Sequence, residues 1–286
     1  MCFSTAGFGC VTICILNIMS EKLNLTILIK GGGEVGTAVA HRLAQCHFRV
    51  CITEIANPLA VTREATFCEA IYEGEKTVEG ITARRIDTPQ QVFKIWETGE
   101  VPIIVDPDSQ SKSLIHLHVF VDAIMAKKNT GTSMQDAPLV IGLGPGFTAG
   151  QDVHIVIESN NSNNLGRIIL EGGAEANTGI PIPVGGHSFN RVFHPPVDGQ
   201  FTSDKKIGAS IVPGDIIGYV EGHALKAEIK GILRGLIRSG VMVNKDTKLA
   251  EIDPLARLED CARIRALPRA IAGGVLEAIL SHYNKD

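Results

Sequence analysis

Gly31, Gly33 and Gly36 stand at G-x-G-x-x-G spacing, directly after the apolar run LTILIK (25–30) and before a segment in which Val35, Val39 and Leu43 recur at helical intervals. In that context the glycines allow a tight turn and a close approach. The N–H groups of the helix start face a phosphate, and a carboxylate ending the next strand, here Glu54, meets a ribose hydroxyl. Gly32 completes the loop. Glu34 falls on the first helical turn, where a pyrophosphate would lie, and two negative charges within about 4–6 Å repel. Either Glu34 keeps a dinucleotide out or it only complements the helix dipole. A second glycine run follows the apolar run PLVIGL, and there Gly144, Gly146, Thr148 and Gly150 either cradle an anion with their N–H groups or form a tight turn.

The remaining candidates are single groups or pairs. Asp152 and His154, two apart on an extended stretch, share a side and make either a charge pair or a turn cap. His116 and His118 share a face, but with no third ligand at metal spacing they read as a structural pair, and no metal site is expected. Asp106 and Asp122 end strands, where catalytic groups and turn aspartates both occur. Lys127 and Lys128 would meet a phosphate or water, and Cys68 is a nucleophile or a sulfur or selenium acceptor only in principle. No Gly-x-Ser-x-Gly elbow, Walker loop or His-Glu-x-x-His is present, so no catalytic residue is assigned.

The elements that must position these groups follow from the pattern. Residues 25–54 read as a βαβ unit of about 30 residues. One or two strands are expected around Gly74 and Gly80, a helix opening at Thr88-Pro89 and ending at Gly99, and buried strands in VPIIVD, LHVFVDAIM and PLVIGL. Their alternation predicts an α/β fold with a doubly wound, Rossmann-like parallel sheet. Beyond Gly150 strands and turns dominate, and the Pro/Gly-rich link NTGIPIPVGGHS predicts a boundary. After it the chain repeats at 32 residues: Gly199 meets Gly231, Gly208 meets Gly240, and Phe201, Ile211 and Val220 meet Leu233, Val243 and Ile252. Two equivalent β-halves packed face to face are expected from this. VDGQF and VPGDIIGYV resemble the biotinyl/lipoyl-like barrel-sandwich hybrid, whose carrier members present a modified lysine at a hairpin tip. Lys226 here belongs to a strand instead. The expected division is 1–18 as a non-native or disordered extension, 19–185 as a Rossmann-like cofactor-binding domain with a β extension, 186–254 as the all-β barrel-sandwich domain, and 255–286 as a C-terminal helical segment.

The 286 residues are 44% hydrophobic and 20% charged with a net charge of −4, a balance that lacks the clustered Lys and Arg of a nucleic-acid or anionic-membrane binder. A small molecule or another protein is the expected partner, and a homo-oligomer is compatible with the composition. Residues 1–18 hold no charged side chain, so no basic signal region precedes the short apolar run Val11–Ile18, and Met19 reads as the initiator. Seven cysteines without a Cys-x-x-Cys pair suggest reduced thiols and a cytoplasmic location.

KGGGEVGTAVAHRL, the run from VDAIMAKKN to GQDVHIVIES, LGRIILEGGAEANTGIP, and GILRGLIRSG with AIAGGVLEAIL together resemble the YqeB family of selenium-dependent molybdenum hydroxylase system proteins, from about Leu25 to the C-terminus. That family is similar in its Rossmann part to XdhC-type accessory proteins. The resemblance implies an accessory, maturation role in which a molybdopterin-type molybdenum cofactor is bound or readied for a hydroxylase subunit. In the family the loop reads Gly-x-Gly-Asp; Glu34 keeps that carboxylate and lengthens it. Two alternatives stay open: an NAD(P)-dependent oxidoreductase using the first loop and Glu54, and a carrier module modified at Lys226.

Overall fold

Ile27, Leu28 and Ile29 are all wholly buried although they alternate across β1 (Thr26–Lys30), so this strand is covered on both faces. The computed structural model describes residues 23–285; the 1–18 extension and the Met19 start lie outside them. After β1 come α1 (Glu34–Gln45), β2 (Arg49–Glu54), α2 (Ala70–Glu73), β3 (Glu75–Val78), β4 (Ile81–Ile86), α3 (Val92–Glu97), β5 (Val101–Val105), β6 (Val119–Asp122), β7 (Leu139–Leu143), β8 (Ile155–Ile157) and β9 (Ile168–Ile169). They form one nine-stranded sheet in the order β3-β4-β5-β2-β1-β6-β7-β8-β9. The central seven strands run parallel, while β3 and β9 pair antiparallel at the two edges.

The second half contributes β10 (Val192–Phe193), β11 (Gly199–Thr202), β12 (Ser210–Ile211), β13 (Ile216–Val220), β14 (His223–Lys226), β15 (Gly231–Leu236), β16 (Met242–Val243) and β17 (Ala250–Asp253), followed by α4 (Ala266–Tyr283). These strands build two four-stranded sheets, β10-β17-β15-β12 and β14-β13-β11-β16, around Phe201, Ile217, Leu233, Leu249 and Ile252.

This architecture corrects the expected fold class of a doubly wound parallel sheet followed by a barrel-sandwich domain. The large sheet is mixed, and its connections do not alternate helices over both faces. Beyond α1, the crossovers from β5 to β6, β6 to β7 and β7 to β8 are loops and single 3-10 turns, because 107–118, 123–138 and 144–154 are too rich in Pro, Gly, Asp and Ser to sustain a helix. The hairpin β3–β4 forms because Glu79 and Gly80 both take positive φ, the conformation a two-residue turn requires. The repeat halves do not face one another as units. They exchange their middle strands: β12 of the first half pairs with β15 of the second, and β16 of the second pairs with β11 of the first.

Two helices far apart in sequence cover one face of the large sheet. Val39 and Leu43 of α1 pack with Ile271, Val275 and Ile279 of α4 over Ile27, Ile29, Val121 and Ile141. On the other face Leu28, Phe120, Val140 and Val156 meet Val92, and Trp96 of α3 donates its Nε1–H to Val50 O at 2.7 Å. The paired β-sheets are fixed against this body by backbone: Leu236 N–H donates to Val61 O at 2.8 Å and Arg63 Nε–H to Leu236 O at 2.7 Å. Arg238 reinforces the seam, lying 4.2 Å over the Tyr72 ring and 2.7 Å from Glu69. Among the described residues no helix is long and apolar enough to cross a membrane.

Candidate functional site

The glycine loop turns with Gly31 at φ 98°, its N–H donating to Thr53 O at 2.8 Å. Gly32 is enclosed: its N–H donates to Glu54 Oε2 at 2.7 Å, and its carbonyl accepts from Thr37 Oγ1 and Cys68 N. Glu54 also accepts from Ile55 N–H, and burial raises its carboxyl above the ordinary value. The carboxylate expected to meet a ribose thus already holds the loop. The crevice left beside it, lined by Gly31, Gly33, Glu54, Pro58, Leu59 and Cys68, has a volume of about 200 Å³. Clefts that bury a drug-sized ligand usually span about 300–1,000 Å³.

The second glycine run is tied to the turn and strand around it. Thr148 N–H donates to Asp152 Oδ2 at 2.8 Å, Gly144 N–H to Ile157 O at 2.9 Å and Gly150 N–H to Val153 O at 2.9 Å, while Phe147 plugs the space over Gly142. Gly144, Gly146, Thr148 and Gly150 line neither cleft described here. Asp152 and His154 part company, since His154 Nδ1 accepts from Val140 N–H at 3.0 Å. His116 and His118 stack edge to face, ring centroids 5.1 Å apart, with Thr26 N–H donating to His118 Nδ1. Among the described residues no three His, Cys, Asp or Glu gather at metal-holding distance. Asp106 accepts from Gln110 and Ser111 N–H, and Asp122 from Ile124 N–H and Thr132 Oγ1, so both order the loops that follow their strands. Lys226 ends β14, away from the Glu221-Gly222 turn that forms the hairpin tip.

Cys68 lies against the small crevice but is fully buried, and burial, with smaller contributions from Glu54 and Glu69, pushes its thiol up to about 12. A thiol so held is a poor nucleophile at neutral pH. In folded protein at pH 8, iodoacetamide is expected to alkylate exposed Cys46 roughly 100-fold faster than Cys68 or Cys51, with the difference abolished by denaturant. Peptide mass spectrometry against time measures this, and equal rates would restore Cys68 as a reactive group.

The large cleft lies between the two halves of the molecule, with a volume of about 710 Å³. Its walls come from the start of α1 (Glu34, Val35), the 177–184 link, β17, and the start of α4, with Lys127 reaching in from the loop after β6. On β17, Ala250 and Ile252 point into the paired-sheet core while Glu251 and Asp253 point the other way. Glu251 is completely buried and carries three cations: Lys248, Arg265 Nη1 at 2.8 Å and Arg191 at 3.8 Å. Burial works against its charge, but Lys248, Arg265 and Arg191 outweigh it and hold the carboxyl down at about 2. Arg234 pairs with Asp253 at 3.4 Å, and Arg265 also grips Glu34 with two guanidinium nitrogens, Nη2 to Oε2 at 2.7 Å. The ion pair removes the repulsion that Glu34 alone would exert on an anion. Five cations (Lys127, Arg191, Arg234, Lys248, Arg265) face three carboxylates (Glu34, Glu251, Asp253) in one cleft.

Of the residues expected to bind a cofactor, Gly31, Gly33 and Glu54 line the small crevice, Glu34 alone reaches the large cleft, and Gly32 and Gly36 are consumed in packing the loop against its surroundings. Of the basic cluster only Lys127 is legible in the sequence as a phosphate candidate, because the members lie on separate elements between 127 and 265. In AEID (250–253) the acids alternate with apolar residues and so project from the face opposite the core, a pattern that in sequence alone reads as a solvated face.

No family model matches the chain. It is 39% identical over 254 residues to an uncharacterized protein, YqeB, of Escherichia coli strain K12, a match that covers 89% of this chain and 47% of that protein. The chain therefore spans about half the length of the curated relative it matches, and it is a homologue of YqeB over most of its own length. Among solved structures it is similar to a succinylglutamate desuccinylase of Silicibacter sp. (12% identity, 80% of this chain and 84% of that one, TM-score 0.24). It is also similar to an aspartoacylase family protein of Mesorhizobium loti (15% identity, 82% and 87%, TM-score 0.27). At such scores the likeness says nothing of shared chemistry.

Proposed function

We propose that the protein is an accessory factor for selenium-dependent molybdenum hydroxylases, which binds or readies a molybdopterin-type cofactor and passes it to a hydroxylase subunit. The setting is what the sequence resemblance implies, and the cationic cleft supports the ligand. The observation that carries the reading is the surplus of cations around Glu251 in a 710 Å³ cleft, a size and charge suited to a phosphorylated small molecule.

The donor set fits such a cofactor. Arg265, Arg234 and Lys127 offer charge-assisted hydrogen bonds to a phosphate. Glu251 Oε1 is buried without a hydrogen-bond donor in line, since Arg265 Nη1 lies close to it but off axis. An anionic ligand whose ring carries N–H groups satisfies both. When bound, the cofactor supplies the redox centre of the hydroxylase; the residues of this chain grip its anionic end, orient its ring and shield it from water. The glycine loop has a structural task here, holding the α1 terminus at the cleft edge.

The purified protein is expected to bind the pterin cofactor, seen as a mass shift in native mass spectrometry, and to show no hydride transfer. Lys127→Met, which removes a cation that none of the three carboxylates pairs with, is expected to weaken that binding roughly tenfold without loss of stability. Micromolar NAD or NADP binding with no pterin binding would overturn the reading in favour of an oxidoreductase, and a mass shift on Lys226 would overturn it in favour of a carrier.

A further inference from the structure

Glu34 occupies an unusual place for an ion-pair partner. It is the first residue of the twelve-residue α1, whose start has no side-chain cap. Helix N-terminal N–H groups favour a negative charge, and Glu34 supplies one. Its carboxylate meets Arg265 through two parallel nitrogen–oxygen contacts, the fork that guanidinium also offers a phosphate. Both side chains stay about one-quarter exposed at the cleft edge, so the pair can part without unpacking the core.

Arg265 does not depend on Glu34 for its position. Its Nη1 lies 2.8 Å from Glu251, which is itself fixed by Arg191 and Lys248. If Glu34 swings away, the guanidinium stays where it is with its Nε and Nη2 edge open toward the α1 start. The Glu34 side chain is itself about one-quarter exposed, so it can leave toward solvent.

We propose that Glu34 is a built-in stand-in for the ligand's anion, and that a phosphate-type dianion displaces it from Arg265 and takes its place between that guanidinium and the N–H groups opening α1. This deepens the cleft reading above and rests on it. Glu34 then sets a threshold: a ligand carrying a single weak charge does not compete with a tethered carboxylate, whereas a phosphoryl group with two charges and three oxygens does. The exchange is one anion for another, with no bond made or broken.

The test is calorimetric titration of the full-length protein with inorganic pyrophosphate at fixed ionic strength. Glu34→Gln, which removes the competing charge and keeps the shape, is expected to bind roughly tenfold tighter than the native protein. Glu34→Asp, too short to hold the fork, is expected to fall between them and serves if the first variant does not fold. Arg265→Gln is expected to lose pyrophosphate binding. A merely structural Glu34 would lower the melting temperature on substitution with no gain in affinity; unchanged or weaker binding by both Glu34 variants overturns the proposal and leaves the cleft reading intact. Absence of pyrophosphate binding in every variant overturns both. Tighter binding by Glu34→Gln in a protein that takes no pterin cofactor supports the displacement and overturns the molybdenum reading.

Discussion

Glu251→Gln is expected to lower the free energy of unfolding by about 3 kcal/mol near pH 7, a fall of roughly 10 °C in Tm for a chain of this size. The carboxyl is held at about 2 against an ordinary 4.5, and because the side chain is wholly buried the difference is little screened by solvent. A group whose folded pKa is depressed contributes stability above its unfolded pKa and loses it as pH falls toward the folded one. The native protein should therefore shed this contribution between about pH 4.5 and pH 2, while the variant has none to shed. Urea unfolding of both proteins from pH 7 to pH 3 checks this, and the gap between them should shrink to less than half at the acid end. The amide leaves Arg191, Lys248 and Arg265 facing each other with one carboxylate fewer, so the variant should also be stabilised by added phosphate more than the native protein is. A gap that does not vary with pH would mean that packing and not charge holds β17.

Local patterns carried much of the fold. The LTILIK strand, the glycine turn and the helix after it lie where their periodicity put them, and Thr88 and Gln91 form the capping box that opens the turn leading into α3. The helix ends at Glu97 with Thr98 as its cap, next to Gly99 at φ 75°. Sheet order was not legible in the same way. β6, β7 and β8 run parallel to one another and to β1 although loops and 3-10 turns connect them, so the alternation of strands with helices that implies a doubly wound sheet does not hold past β5. The repeat was visible, but strand exchange between its halves was not, because residues 32 apart share a character whether their strands sit in one sheet or two. The site was the least legible part. The G-x-G-x-x-G spacing drew attention to a loop whose Gly31 and Gly32 N–H groups are already engaged, while the cleft takes its charges from positions as distant as Lys127, Arg191 and Arg265. Only three-dimensional convergence distinguishes such a cluster from ordinary surface charges.

Gly36→Ala is expected to cost 3 kcal/mol or more, about as much as any single substitution in the loop, although alanine is the better helix former by about 1 kcal/mol. A Cβ at Gly36 would lie 1.9 Å from Gly31 O and 3.0 Å from Gly31 C, and both are backbone atoms. Gly31 cannot retreat, because its positive φ and its N–H bond to Thr53 O fix the turn, so α1 must lift from the loop and loosen its contact with α4. The same arrangement recurs where α4 passes the 158–168 segment: a Cβ at Gly274 would lie 2.1 Å from Gly166 O, and Gly274→Ala should be comparably costly. Gly33→Ala provides the contrast within the same motif. Gly33 has φ −66° and ψ −167°, which any residue adopts, and nothing lies within 4 Å of its added Cβ, so its stability should stay within about 0.5 kcal/mol of native. Chemical denaturation of the three variants separates two roles that one sequence pattern merges: Gly36 and Gly274 are required by close approach of backbone to backbone, and Gly33 is open to whatever enters the crevice. Equal losses at Gly33 and Gly36 would mean that the loop needs its glycines for chain flexibility, and the close-approach account would fall.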